Sequence, residues 1–221
     1  NVTGECTFGL ESAANSYIET IRIKASRIIF VQDCFKNAQG VELLSLEAED
    51  DIIFGITTFS NSQIKEIQCY AGKSIILGQR CFEKVSKVTL VNLTSGGILN
   101  LNEGSFNFAE IVDVNLKSVE DINTEQNSFE NVTNFDKLTI ETGTFEAKYG
   151  SFLNSSVQEI FIKTSETTTF VQHSFKNTPN LRNLTIISNG NIDFQNECFI
   201  NSNVNDINLY TNGTVTFVQD S

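Results

Sequence analysis

Phe54-Gly55-Ile56-Thr57-Thr58-Phe59 returns further along the chain as Leu77-Gly78-Gln79-Arg80-Cys81-Phe82, and the closing ring belongs to a longer series. Phe recurs at 8, 35, 59, 82, 106, 129, 152, 175 and 199; after a first gap of 27 residues, every gap is 23 or 24. A fixed period in this range is the signature of a solenoid, in which each coil buries its apolar side only against its neighbours. The surrounding slots repeat too. An apolar-x-apolar pair precedes the ring, as in Ile28/Phe30, Ile52/Phe54, Leu99/Leu101 and Ile192/Phe194, with departures at Thr124 and Ala147. The residue just before the ring is small (Thr7, Cys34, Thr58, Cys81, Ser105, Ser128, Ser151, Ser174, Cys198), and Asn dominates two residues after it.

Next comes an apolar-x-x-apolar-x-apolar segment: Ile18/Ile21/Ile23, Val41/Leu44/Leu46, Ile64/Ile67/Cys69, Ile111/Val114/Leu116, Val157/Ile160/Ile162, Leu181/Leu184/Ile186 and Val204/Ile207/Leu209. Its last step has the period of two that a strand requires. One such strand per coil, stacked on its copies about 4.8 Å apart, makes a parallel sheet. The expected fold is therefore a strand-dominated α/β-type solenoid with few or no regular helices. It spans residues 1–221 as one domain: 1–17 a cap and a longer first coil with a helical turn around Leu10–Ser16, 18–209 nine strands, and 210–221 an incomplete last coil.

The strand followed by apolar-x-apolar-x4-Phe, the two quoted stretches and the Phe-x-Asn step together resemble the extracellular leucine-rich repeat, nearest to its BspA-like subclass. The resemblance covers nearly the whole chain and implies a curved solenoid used as a binding scaffold, without implying a partner. One departure stands out. The Asn that follows the strand in typical members of the family appears at Asn189 and Asn212, while Gly72 and Gly143 hold its place elsewhere. Other groups must satisfy the backbone donors there.

Eighteen Phe, with no Trp and no Met, point to a spine of rings in the core rather than a ligand box. The absence of an initiator Met suggests that a leader was removed, and no apolar run is long enough to span a membrane. A formal net charge of −12 argues against nucleic acid as a partner. Sequons at Asn1, Asn92, Asn131, Asn154, Asn183 and Asn212 favour a secreted glycoprotein, although Asn131 and Asn154 also fill the slot where Asn serves the turn.

Cys34, Cys81 and Cys198 sit in the small slot and Cys69 ends a strand, so all four read as packed thiols. Cys6 lies outside the repeated slots, and a disulfide from Cys6 to Cys34 is the candidate staple for the first coil. Outward strand positions stack into columns. One is Thr20, Leu43, Glu66, Lys87, Asp113, Lys137, Glu159, Asn183, Asp206, alternating in charge from Glu66 to Glu159. The middle column is Arg22, Ser45, Gln68, Thr89, Asn115, Thr139, Phe161, Thr185, Asn208, and the third is Lys24, Glu47, Tyr70, Val91, Lys117, Glu141, Lys163, Ile187, Tyr210. Phe161, Ile187 and Tyr210 form a candidate binding patch, since nothing structural requires them to be apolar.

No constellation of side chains carries catalysis. His173 is the only His, in a slot held elsewhere by Asp33, Thr57, Arg80, Gly104, Asn127, Gly150 and Glu197, which predicts a solvent-facing position. No metal spacing, phosphate loop or nucleophile elbow occurs, and no cofactor is implied. The sequence thus predicts a non-enzymatic, secreted scaffold that binds an extracellular protein or glycan. The alternative is a structural or self-assembling extracellular protein (matrix, coat or adhesive material), with a tail-to-tail homodimer through the open C-terminal end as its simplest association. Docking to a crystal lattice through Thr89, Asn115 and Thr139 is a more distant reading.

Overall fold

A computed structural model describes residues 4–219. They wind into a parallel β-solenoid of about nine turns, and no helix occurs among the described residues. Each coil contributes two strands. The longer ones, from Thr20–Ala25 to Asp206–Thr211, form a nine-stranded sheet; the shorter ones, from Glu5–Phe8 to Val215–Phe217, form a ten-stranded sheet. The nine expected strands are the first sheet. The second is built from the apolar-x-apolar pairs, which were expected as slots only: three residues such as Ile52–Phe54 pair in register with Ile75–Leu77 but are too short to display a period.

The core lies between the sheets and is organised by the rings. Phe35, Phe59, Phe82, Phe106, Phe129, Phe152, Phe175 and Phe199 form one continuous stack, with centroids 5.0–5.4 Å apart and planes within 13° of parallel. Phe8 does not belong to it. Its register partner is Phe30, at 5.1 Å, and Phe30 stacks on Phe54 at 5.2 Å. Ala13 takes the slot of Phe35 in the first coil, its N–H donating to Cys34 as Phe35 donates to Thr58. The apparent gap of 27 residues is thus a step from one ring slot to the other, and the segment Leu10–Ser16 is an ordinary turn rather than a helical cap.

The second ring column lapses in mid-solenoid, where Leu77, Leu101, Thr124 and Ala147 replace Phe before Phe170, Phe194 and Phe217 restore it. Two further fully buried rings lie in this stretch of the chain: Phe145, on the same strand as Ala147, contacts Phe170 at 5.8 Å, and Phe135 contacts Phe129 at 5.9 Å.

Each coil turns through two left-handed residues four apart, such as Asp33 (φ 58°) with Asn37 (φ 60°) and His173 (φ 65°) with Asn177 (φ 56°). Asn tolerates this conformation best among residues with a side chain. The small slot between them closes the turn. Thr58, Ser105, Ser128 and Ser151 each donate a hydroxyl to the carbonyl three residues back, at 2.5–2.8 Å. At the opposite corner, Gly72, Gly96 and Gly143 donate their N–H groups to carbonyls of the preceding coil, as Asn189 does to Thr164, so the backbone donors there are satisfied with or without the Asn. A Cβ on Gly96 would stand 2.1 Å from the Gly72 carbonyl oxygen, so this corner needs glycine for close approach.

One strand sits three residues away from its expected register. Leu90, not Lys87, pairs with Glu66 and Asp113; Asn92, not Thr89, pairs with Gln68 and Asn115; and Thr94, not Val91, pairs with Tyr70 and Lys117. Val88 and Val91 are core. Charge alternation along the first column is therefore interrupted at Leu90, and Thr89 leaves the row on which a lattice reading depended.

Candidate binding face

The outward face of the nine-stranded sheet is built by strands whose burial alternates, so every second side chain projects from a platform fixed by the rings beneath it. With the register corrected, its middle column runs Arg22, Ser45, Gln68, Asn92, Asn115, Thr139, Phe161, Thr185, Asn208. Four of the five charged positions of the third column are neutralised in pairs, and Lys163 is not. Lys24 bonds Glu47, and Lys117 lies 3.4 Å from Glu141. Such exposed pairs hold register and contribute at most about 1 kcal/mol each.

Ile187 and Tyr210 are register partners on this face, 37% and 59% exposed, and half-buried Phe161 stands one column over, paired with Thr185. The three candidate residues therefore lie on three adjoining strands of one face, Phe161 diagonal to the Ile187–Tyr210 pair. Ile187 also borders a cleft of about 260 Å³ floored by Gly143 and flanked by Lys117, Glu141 and Lys163.

A second hollow, which the sequence did not single out, lies toward the N-terminal end around Tyr70. Tyr70 is an aromatic residue at an outward strand position, and that was the available signal. On the outward side of the ten-stranded sheet, Ile29, Ile53 and Ile76 form a half-buried apolar strip. The unbroken triplets Ile28-Ile29-Phe30, Ile52-Ile53-Phe54 and Ile75-Ile76-Leu77 mark it in the sequence.

The sequons fall in unlike settings. Asn131 and Asn154 belong to a side-chain ladder: Asn154 Nδ2 donates to Asn131 Oδ1 (3.1 Å), Asn177 to Asn154 (2.9 Å) and Asn201 to Asn177 (3.1 Å). Asn92 accepts from Asn115 at 2.8 Å, and Asn183 donates to Glu159 at 3.4 Å. Asn212 is exposed at a corner, and Asn1 lies outside the described residues.

Cys6 and Cys34 are free thiols, contrary to the expected bridge. Cys6 is in register with Ile28, six residues before Cys34, whose thiol instead faces the carbonyls of Phe8, Gly9 and Val31. Burial pushes the thiol of Cys69 far above its usual range, raises Cys81 well above it, and brings Cys198 up to about 11. None of these sites favours a thiolate nucleophile.

His173 also departs from expectation. Its side chain is only 12% exposed and bridges two coils, with Nδ1 3.0 Å from the Tyr149 hydroxyl and Nε2 bonded to Glu197. The His173 hydrogen bond holds the Glu197 carboxyl below its usual range. What the slot conserves is a positive φ, not exposure. Among the described residues no group of His, Cys, Asp and Glu could hold a metal ion, and no helix is long and apolar enough to cross a membrane.

A model of the BspA type leucine-rich repeat region, in six copies, matches residues 7–126 and 117–221. No curated protein and no solved structure gives a significant match to the chain.

Proposed function

We propose, for a chain that belongs to the BspA-type leucine-rich repeat family, that it is a secreted, non-enzymatic scaffold that captures an extracellular protein through the outward face of its nine-stranded sheet. Repeat families of this kind suggest protein interaction. The observation that carries the finer reading is the grouping of half-buried Phe161 with exposed Ile187 and Tyr210 on three adjoining strands, apolar at outward positions. A rigid stack of rings beneath it lowers the ordering cost of binding. The sequons support secretion as a glycoprotein, with Asn212 the best presented of those described.

The test is capture from extracellular fluid on immobilised protein, followed by replacement of Phe161 and Tyr210 with Ser. Loss of capture with an unchanged circular dichroism spectrum is the expected result; undiminished capture by the double variant would refute the patch.

A further inference from the structure

Tyr70 stands 52% exposed between two hollows on the nine-stranded face. One, of about 420 Å³, is lined by Ser45, Gln68, Asn92 and Thr94 over the buried Leu46 and Cys69. The other, of about 300 Å³, passes Glu47 and Ala48 to Gly72. An aromatic side chain at the junction of two shallow troughs suits a chain-like ligand lying along the surface rather than a small molecule enclosed in a cavity.

The polar groups here are arranged differently from those of the turn ladder. There each amide hands its hydrogen to the next, as Asn177 does to Asn154 at 2.9 Å. On this face the run is interrupted. Asn115 donates to Asn92 Oδ1 at 2.8 Å, and Gln68 donates to Glu66 at 3.1 Å, but Asn92 and Gln68, which are register partners, do not bond each other. The Asn92 amino group is left as a donor and the Gln68 carbonyl oxygen as an acceptor, side by side on adjoining strands. The Ser45 and Thr94 hydroxyls flank them, and each can do both. Of the ionic groups here, Glu47 is neutralised by Lys24, while Glu66, which accepts from Gln68, and Glu49, beside the second hollow, keep their carboxylate charge and repel an anionic ligand. Paired donor and acceptor, adaptable hydroxyls and an exposed phenol ring match an uncharged ligand that carries neighbouring hydroxyls on one edge and an apolar C–H face on the other.

We propose that this site binds a neutral oligosaccharide, with one pyranose ring seated on Tyr70 and its vicinal hydroxyls paired with Gln68 and Asn92. The site rests on the scaffold reading above and lies on the same sheet as the Phe161 patch, four coils from Phe161 and six from Tyr210. An anionic polysaccharide is disfavoured by a chain of net charge −12, and a protein ligand would leave the facing amides only partly paired.

The experiment is titration calorimetry on bacterially produced protein, which carries no N-glycan at Asn92, with cello-, laminari-, manno- and chito-hexaose as neutral probes and a heparin hexamer as the anionic control. At least one neutral hexamer binds. Tyr70→Ala weakens it about tenfold or more, Tyr70→Phe stays within about threefold, and Gln68→Ala weakens it. Binding by none of the neutral probes, binding by heparin alone, or binding indifferent to Tyr70→Ala overturns the proposal. The Phe161/Tyr210 double variant separates the two readings: protein capture that it abolishes, with no sugar bound at Tyr70, sinks the oligosaccharide site and leaves the scaffold standing.

Discussion

Removing one ring from the middle of the stack should cost more than removing one from its end, and the difference measures how far stability is a sum over neighbouring coils. Phe106 is fully buried and stacks on Phe82 and Phe129, both at 5.3 Å. Phe199 is only partly buried; it stacks on Phe175 at 5.2 Å and tilts against Phe194 at 5.3 Å. Truncating a fully buried Phe to Ala costs about 3–5 kcal/mol, and each aromatic pair accounts for about 0.5–1.5 of that. Phe106→Ala should therefore lose about 4 kcal/mol, and Phe199→Ala, with part of its ring already in water, about 2 kcal/mol. In urea, with a slope near 3 kcal/mol per molar, the midpoints fall by about 1.3 M and 0.7 M respectively. Far-ultraviolet circular dichroism followed through the transition reads both. A Phe199→Ala loss equal to or larger than that of Phe106→Ala would refute the continuous spine, as would a Phe106→Ala loss under about 1 kcal/mol.

Three further outcomes follow from single residues. Phe108 holds a left-handed conformation (φ 56°) where every other coil but that of Lys84 places Asn, and its ring is approached by the Lys84 ammonium at 6.0 Å, so Phe108→Asn should raise stability by about 1 kcal/mol; a lower melting temperature would contradict this. Burial raises the Asp33 carboxyl, but hydrogen bonds from Thr57, Lys36 and Gln32 outweigh it and hold the group below its usual range. A depressed folded value stabilises above the unfolded value, about pH 4, and that contribution is lost as pH falls through the folded one, so Asp33→Asn should be less stable than the parent at pH 7 and equal to it at the acid end, a gap read by urea melts across pH. With iodoacetamide under native conditions, mass spectrometry should find Cys6 labelled well before Cys34, Cys69, Cys81 and Cys198, which react on unfolding; equally fast labelling of Cys81 would overturn its placement in the core.

What the sequence disclosed was set by what neighbouring coils demand of each other. The ring period was plain because every member of the Phe35 to Phe199 column must meet two others. Phe8 was misplaced because Phe serves two slots per coil, and only pairing with Phe30 tells them apart. The fourth long strand slipped because Val88, Leu90, Val91 and Leu93 offer two apolar alternations; its register is fixed by partners, Asn92 against Gln68 and Asn115, that a local pattern does not contain. His173 is hard to read from sequence because variation in its slot mimics exposure, whereas the slot selects a backbone angle and leaves the side chain to pair across coils.

The same logic explains why the fold is more legible than the binding face. An inward residue is answerable to the coil above and the coil below, so the chain repeats it and the repetition can be read. An outward residue answers to neither, and a ligand contact made once leaves a mark once. The informative outward positions are therefore the ones that break their column without a structural cause: Tyr70 between Glu47 and Thr94, Phe161 between Thr139 and Thr185, and Ile187 beside Tyr210. Each exposes apolar surface at a cost that folding does not require. Neighbouring coils place Thr in the same columns, at Thr94, Thr139 and Thr185, so these are the positions at which the binding we propose is to be tested.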